Sequence, residues 1–262
     1  MVSDYLNQHL SVEELDEIFE HEREVAAAVA KTVFNHEVTT AISNIGEINQ
    51  IASARILADS QIASAKMMSD AEVIATLMAS KAEIAALAIR QRLLNNPVHS
   101  AAGQGMIFKI SQEASTFVSD TAQESVQAIE REAQEAIKRL KENAAKAINK
   151  IHALVDEVSE KIDENAEISR KLLDRQKSQS RSPEEVIKVA DEQAQKILHE
   201  AAQASATLKK IKEQAILELN EFVEKSTHEI KQATLASEQR IMAARDKAID
   251  RINKIATQNL PH

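Results

Sequence analysis

The chain is poor in the residues that build compact mixed folds. It has no cysteine and no tryptophan, only three glycines and three prolines, and six aromatic residues (Tyr5, Phe19, Phe34, Phe108, Phe117 and Phe222) in 262 positions. The missing cysteine excludes a disulfide framework, a thiolate zinc site and a cysteine nucleophile. So few turn-formers and aromatics cannot supply the tight turns and bulky centre of an α/β or all-β domain. No long apolar run is free of charge, so no transmembrane helix is expected. Met1-Val-Ser-Asp-Tyr-Leu has neither a basic nor an apolar region, so no secretory signal is expected, and a cytoplasmic location fits. The net charge of -9 argues against nucleic acid as a partner, because phosphate affinity needs clustered lysine and arginine.

What remains is a helix-forming alphabet. Hydrophobic residues make up 44% of the chain, many of them alanine, and charged residues 28%. The helix breakers cluster. Pro97, Gly103 and Gly105 fall in one stretch, Pro183 marks a second, and Pro261 is penultimate. Proline removes a backbone donor and restricts its predecessor, so these points divide the chain. The expected organisation is an N-terminal tail (1–10), a low-charge helix rich in Ala, Ile and Ser (11–94), and a linker (95–104). A charged amphipathic helix (105–178), a break (179–182), a second charged helix (183–257) and a C-terminal tail (258–262) follow. Ser11-Val-Glu-Glu14 and Ser182-Pro-Glu-Glu185 both read as N-terminal caps: serine at N-cap, glutamate at N3 and, in the second, proline at N1. Each helix would be on the order of 110–125 Å long at about 1.5 Å per residue.

Spacing sets the expected packing. In the third helix Leu208, Leu219, Ile230, Ile241 and Ile252 recur every eleven residues, as do Ile211, Phe222, Ala233, Ala244 and Ile255, with a small row at Ala215, Ser226, Ser237 and Ala248. The second helix has Val126, Ile137 and Ile148; Ile129, Leu140, Ile151 and Ile162; and Ala133, Ala144, Val155 and Ala166. The first has Ile45, Ile56, Met67, Met78 and Ile89, with Ile51, Ile62, Val73 and Ile84 six residues on. Eleven residues in three turns is about 3.67 per turn, the signature of straight or weakly right-handed coiling rather than of heptads. The expected fold is all-α: three long helices with hendecad periodicity in an elongated antiparallel bundle or coiled-coil rod. The expected assembly core is Ile45, Ile56, Met67, Met78, Ile89, Ile137, Leu140, Ile148, Ile151, Leu208, Leu219, Ile230, Ile241 and Ile252.

The helices differ in polarity. Residues 40–95 hold ten charged side chains, whereas 112–177 hold 25. A helix apolar nearly all round requires a cover, from the other helices, from copies of the chain, or from a lipid, polymer or partner surface. The stretch Glu13–Glu24 carries seven acids in twelve residues. Leu15, Ile18 and Phe19 form an apolar edge beside it, a candidate docking site for a basic partner.

Chemistry-bearing patterns are weak. The residues three positions before the helical histidines are Ile18, Val33, Asn149, Lys196 and Lys225, so no Glu-x-x-His pair of a di-iron bundle occurs. Glu17, Glu20, His21 and Glu24 fit a solvated helix start better than a cation site. Gly103-Gln-Gly105 lacks the Lys-Ser/Thr sequel of a phosphate loop. No catalytic residue, cofactor or metal is expected, and the chain does not read as an enzyme.

Residues 184–256, exemplified by Ala190-Asp-Glu-Gln-Ala-Gln-Lys-Ile-Leu-His-Glu-Ala-Ala202, resemble the peripheral stalks of rotary ATPases, which implies a stator or adaptor role. Phe117-Val-Ser-Asp-Thr-Ala-Gln123, with Glu130, Ala133, Gln134 and Glu135, is similar to the repeat of the protein that coats and stiffens gas vesicles. Lys150 stands where the next repeat would begin. Amphipathic eleven-residue repeats are also similar to those of apolipoprotein-like and polymer-granule coat proteins. The expected function is a structural or scaffold protein that self-associates into a rod or filament and spaces, stiffens or recruits. Its expected partners are further copies of itself or other helical proteins. The alternatives are a coat on an apolar surface and a stalk or adaptor subunit.

Overall fold

A computed structural model describes residues 11–95, 101–179 and 183–258. It contains three helices: α1 (Val12–Asn95), α2 (Ala101–Gln179) and α3 (Pro183–Gln258). They pack as a three-helix bundle.

Local signals explain most of the bounds. At the start of α1 the Ser11 N–H donates to Glu14 Oε2 at 2.8 Å and the Glu14 N–H donates to Ser11 Oγ at 3.2 Å. This reciprocal pair satisfies two of the donors a helix leaves open at its start. The cap expected at Ser182 lies outside the described residues, although α3 does begin at Pro183. One boundary differs by more than a single residue from that expected. Helix α2 starts at Ala101, four residues before the expected 105, and takes in Gly103 and Gly105. No described glycine has a positive φ. Glycine in a helix costs about 1 kcal/mol relative to alanine, a penalty that a helix of 79 residues absorbs.

The bundle divides into two compact units, one of residues 1–53 and 145–220, the other of 54–144 and 221–262. In the first unit Lys31 Nζ donates to Glu200 Oε1 at 2.8 Å and Asn49 Nδ2 to Glu218 Oε2 at 2.6 Å. Both pairs join residues 169 apart, so α1 and α3 run parallel there. Glu37 acts on Lys161 through space, which places α2 beside α1 there. The buried side chains include Phe34 and Ile45 from α1, Ile151, Ile162 and Leu173 from α2, and Ile197, Leu208 and Leu219 from α3.

In the second unit Ser60 Oγ donates to the Ser226 carbonyl at 3.2 Å, and ion pairs join Glu72 to Arg240 and Glu83 to Arg251. These links again match a parallel α1 and α3. Asn143 Nδ2 donates to Asp59 Oδ2 at 3.0 Å, Lys66 pairs with Glu132 at 2.5 Å, and Ser111 Oγ donates to Asn253 Oδ1 at 3.3 Å. Helix α2 therefore runs antiparallel to both neighbours, the up-down-up order that short connections favour. The buried side chains include Ile56, Met67, Met78 and Ile89 from α1, Ile129 and Leu140 from α2, and Ile230, Ile241 and Ile252 from α3.

The apolar rows are not buried equally. Of the residues expected in the assembly core, Ile137 and Ile148 are only half-buried, and the other twelve are buried. In α3 the small row Ala215, Ser226, Ser237 and Ala248 is buried, while Phe222 of the neighbouring row is 37% exposed and Val223 takes the inward place. Small side chains let helices approach closely and leave little room for a phenyl ring between them. In α1 the row Ile51, Ile62, Val73 and Ile84 is exposed throughout.

Candidate interaction surface

The exposed row of α1 has a simple geometric origin. Successive residues of a helix turn by 100°, so positions 58, 62, 65, 69, 73, 76, 80, 84 and 87 lie roughly opposite the core positions 56, 67, 78 and 89. They read Ala58, Ile62, Ala65, Ser69, Val73, Thr76, Ser80, Ile84 and Leu87, all exposed. Ile62 is 66% exposed, Val73 65% and Ile84 60%. The face belongs wholly to the second unit and contains no charged residue.

Its neutrality follows from where the nearby charges go. Asp59 accepts a hydrogen bond from Asn143, and Lys66 pairs with Glu132. Glu72 and Glu83 pair with Arg240 and Arg251. The Lys81 ammonium lies 4.5 Å from the centre of the Phe117 ring, within cation–π range. Each of these groups leans toward α2 or α3, which leaves the outward side of α1 to apolar and small residues. The Glu132 carboxylate, accepting a hydrogen bond from Lys66, raises the pKa of that ammonium and keeps it charged.

A different arrangement occurs beside it. Lys66, Ala128, Arg131, Glu132, Glu135 and Arg139 line an open cleft of about 380 Å³. The lining holds three cations and two carboxylates, among them the Lys66–Glu132 pair. Elsewhere in the second unit, burial and then the nearby charge of Glu130 push the Glu238 carboxyl above its usual range. In the first unit, Arg23 is 3% exposed, with Nε and Nη1 buried and unpartnered. It stands eleven residues before Phe34.

Of the residues expected to dock a partner, Ile18 is exposed, and the side chains of Leu15 and Phe19 lie outside those described. Among the described residues, no group of three or more His, Asp or Glu side chains is placed to hold a metal ion. Among the same residues, no helix is long and apolar enough to cross a membrane.

No family model matches the chain, and no curated protein sequence does. One solved structure that the chain is similar to is described as a computationally designed three helix bundle. It aligns over 95% of this chain and 97% of that one, with a TM-score of 0.62 and 12% identity. At that identity the likeness establishes the fold and says nothing of function.

Proposed function

We propose that this chain is a structural scaffold protein that self-associates through helix packing and so spaces, stiffens or recruits its partners. One observation carries the reading. Helix α1 is buried along Ile56, Met67, Met78 and Ile89 yet exposes a second, uncharged face along Ile62, Val73 and Ile84. Contiguous apolar surface of this kind is uncommon on soluble monomers and marks interaction sites. The eleven-residue repeat is the proposed packing rule. It is supported by the burial of Phe34, Ile45, Ile56, Met67, Met78 and Ile89, each eleven positions after the last. In this reading the protein acts without a catalytic residue or cofactor. A cysteine-free chain is compatible with work in the cytoplasm.

Light scattering on the purified full chain across a hundred-fold concentration range tests the proposal. A molar mass above that of one 28.9 kDa chain, rising with concentration, is the expected outcome. A constant monomer mass would refute it.

The same neutral face supports a second reading, a coat on an apolar surface. An interfacial helix normally flanks its apolar side with lysine and arginine, which the outward face of α1 lacks, so an uncharged surface would be the target. Flotation of the chain with uncharged phosphatidylcholine vesicles or hydrophobic particles would favour this alternative.

A further inference from the structure

We infer that the outward face of α1 between residues 54 and 94 is a homotypic interface, occupied by the same face of a second copy of this chain. The inference rests on the self-association proposed above and assigns it a place.

Three observations select this occupant. The first is size. Residues 54–94 extend over about 60 Å at 1.5 Å per residue, and a helix contact about 10 Å wide would cover roughly 600 Å² on each copy. The total of roughly 1,200 Å² reaches the lower end of what specific protein interfaces bury. The second is relief. Ile62, Val73 and Ile84 are the large side chains of the face, and the small residues Ala65, Ser69 and Ser80 between them leave room on the same face. A face that carries both can mate with itself, as a two-fold interface requires. The third is charge. Of the charged groups that flank the face, Lys66, Glu72 and Glu83 are engaged by Glu132, Arg240 and Arg251 of the same chain, and the exposed Arg55 stands at its N-terminal end. An uncharged face then meets its match most readily in another uncharged face, because neither side must strip water from an unpaired charge.

Sedimentation equilibrium on the full chain tests the assignment with four samples: wild type, the triple variant Ile62→Glu/Val73→Glu/Ile84→Glu, the control Leu235→Glu on α3, and wild type with uncharged phosphatidylcholine vesicles. The three replaced positions are at least 60% exposed, so helicity and the thermal midpoint should stay unchanged, as circular dichroism would verify. The inference expects wild type and Leu235→Glu to associate alike and the triple variant to weaken association at least a hundred-fold. A triple variant that associates as wild type does would overturn this interface while leaving self-association intact. A wild type that stays monomeric would overturn both readings, and one that stays monomeric but floats with the vesicles would transfer the face to an apolar surface.

Should the triple variant lose helicity, the milder set Ile62→Ser/Val73→Ser/Ile84→Ser decides. Association weakened about ten-fold or more would sustain the inference. Unchanged association would end it.

Discussion

In the second unit α1 and α3 run parallel and flank the same helix, yet they meet solvent differently. At the corresponding offsets from its core residues, the outward positions of α3 read Lys225, His228, Gln232, Ala236, Gln239, Ala243, Lys247 and Asp250. Those of α1 read Ala58, Ile62, Ala65, Ser69, Val73, Thr76, Ser80 and Ile84. Both helices bury one apolar side. Only α1 carries a second. A helix with one apolar stripe is satisfied by its own bundle, whereas a helix with two stays unsatisfied until something else packs on it. The contrast therefore separates what holds the chain together from what it offers to a partner.

Substitutions can sharpen that separation. The largest effect belongs to the inner side of α1. Met67→Ala, at a fully buried position, should lower the unfolding free energy by about 2–5 kcal/mol. Ile62→Ala, on the outer side of the same helix, should stay within about 0.5 kcal/mol of wild type when the chain is monomeric. Urea unfolding at low protein concentration measures both. Equal losses would erase the distinction between the two sides.

A second prediction concerns the first unit, where Arg23 occupies a buried place eleven residues before Phe34 with two unpartnered nitrogens. Burying a guanidinium is costly, and replacing such a group by an apolar one of similar length is often neutral or stabilising. Arg23→Met should leave stability unchanged or raise it by up to about 2 kcal/mol, read from the urea midpoint. A loss of that size would mean that Arg23 holds the first unit together.

The smallest effect is electrostatic. Burial and the charge of Glu130 raise the pKa of Glu238 in the folded chain. The folded state then holds this proton more tightly than the unfolded state does. The group's penalty is present above its folded pKa and fades as the pH falls through that value toward the unfolded one. Glu238→Gln should therefore stabilise the chain slightly at pH 7, by less than about 1 kcal/mol given the exposure of the site. The gain should shrink at pH 4. A gain that grows on acidification would reverse the assignment. The Glu14, Glu157 and Glu167 carboxyls are lowered by hydrogen bonds from Ser11, Lys161 and Arg170. Their contributions run the opposite way, present above the unfolded pKa and lost as the pH falls through the folded one.

The number and type of helices were legible in the sequence, because glycine and proline are so scarce that each cluster marks a break. The Ser11–Glu14 cap was legible for a similar reason: its four residues contain the whole device. The start of α2 was not, since Gly103 and Gly105 can sit in a long helix at a modest cost. Row burial was legible only in part. A repeat reveals which residues share a side of a helix, as Ile51, Ile62, Val73 and Ile84 do, but not whether a neighbour covers that side. Phe222 and Val223 show the same limit, because a single step of 100° decides which of two apolar residues turns inward. The parallel course of α1 and α3 depends on contacts such as Lys31–Glu200 and Ser60–Ser226, which couple residues far apart in the chain. The outward face of α1 emerged only once α2 and α3 were seen to cover the opposite side.

The absence of cysteine makes a direct measurement practical. A single spin label on Val73→Cys, in the full chain at an associating concentration, reports the distance between the outer faces of α1 in neighbouring copies. The account predicts strong dipolar coupling at separations up to about 20 Å, two helix diameters, and weaker coupling for a label on Leu235→Cys of α3. No coupling between copies at position 73, or closer approach at position 235, would contradict it.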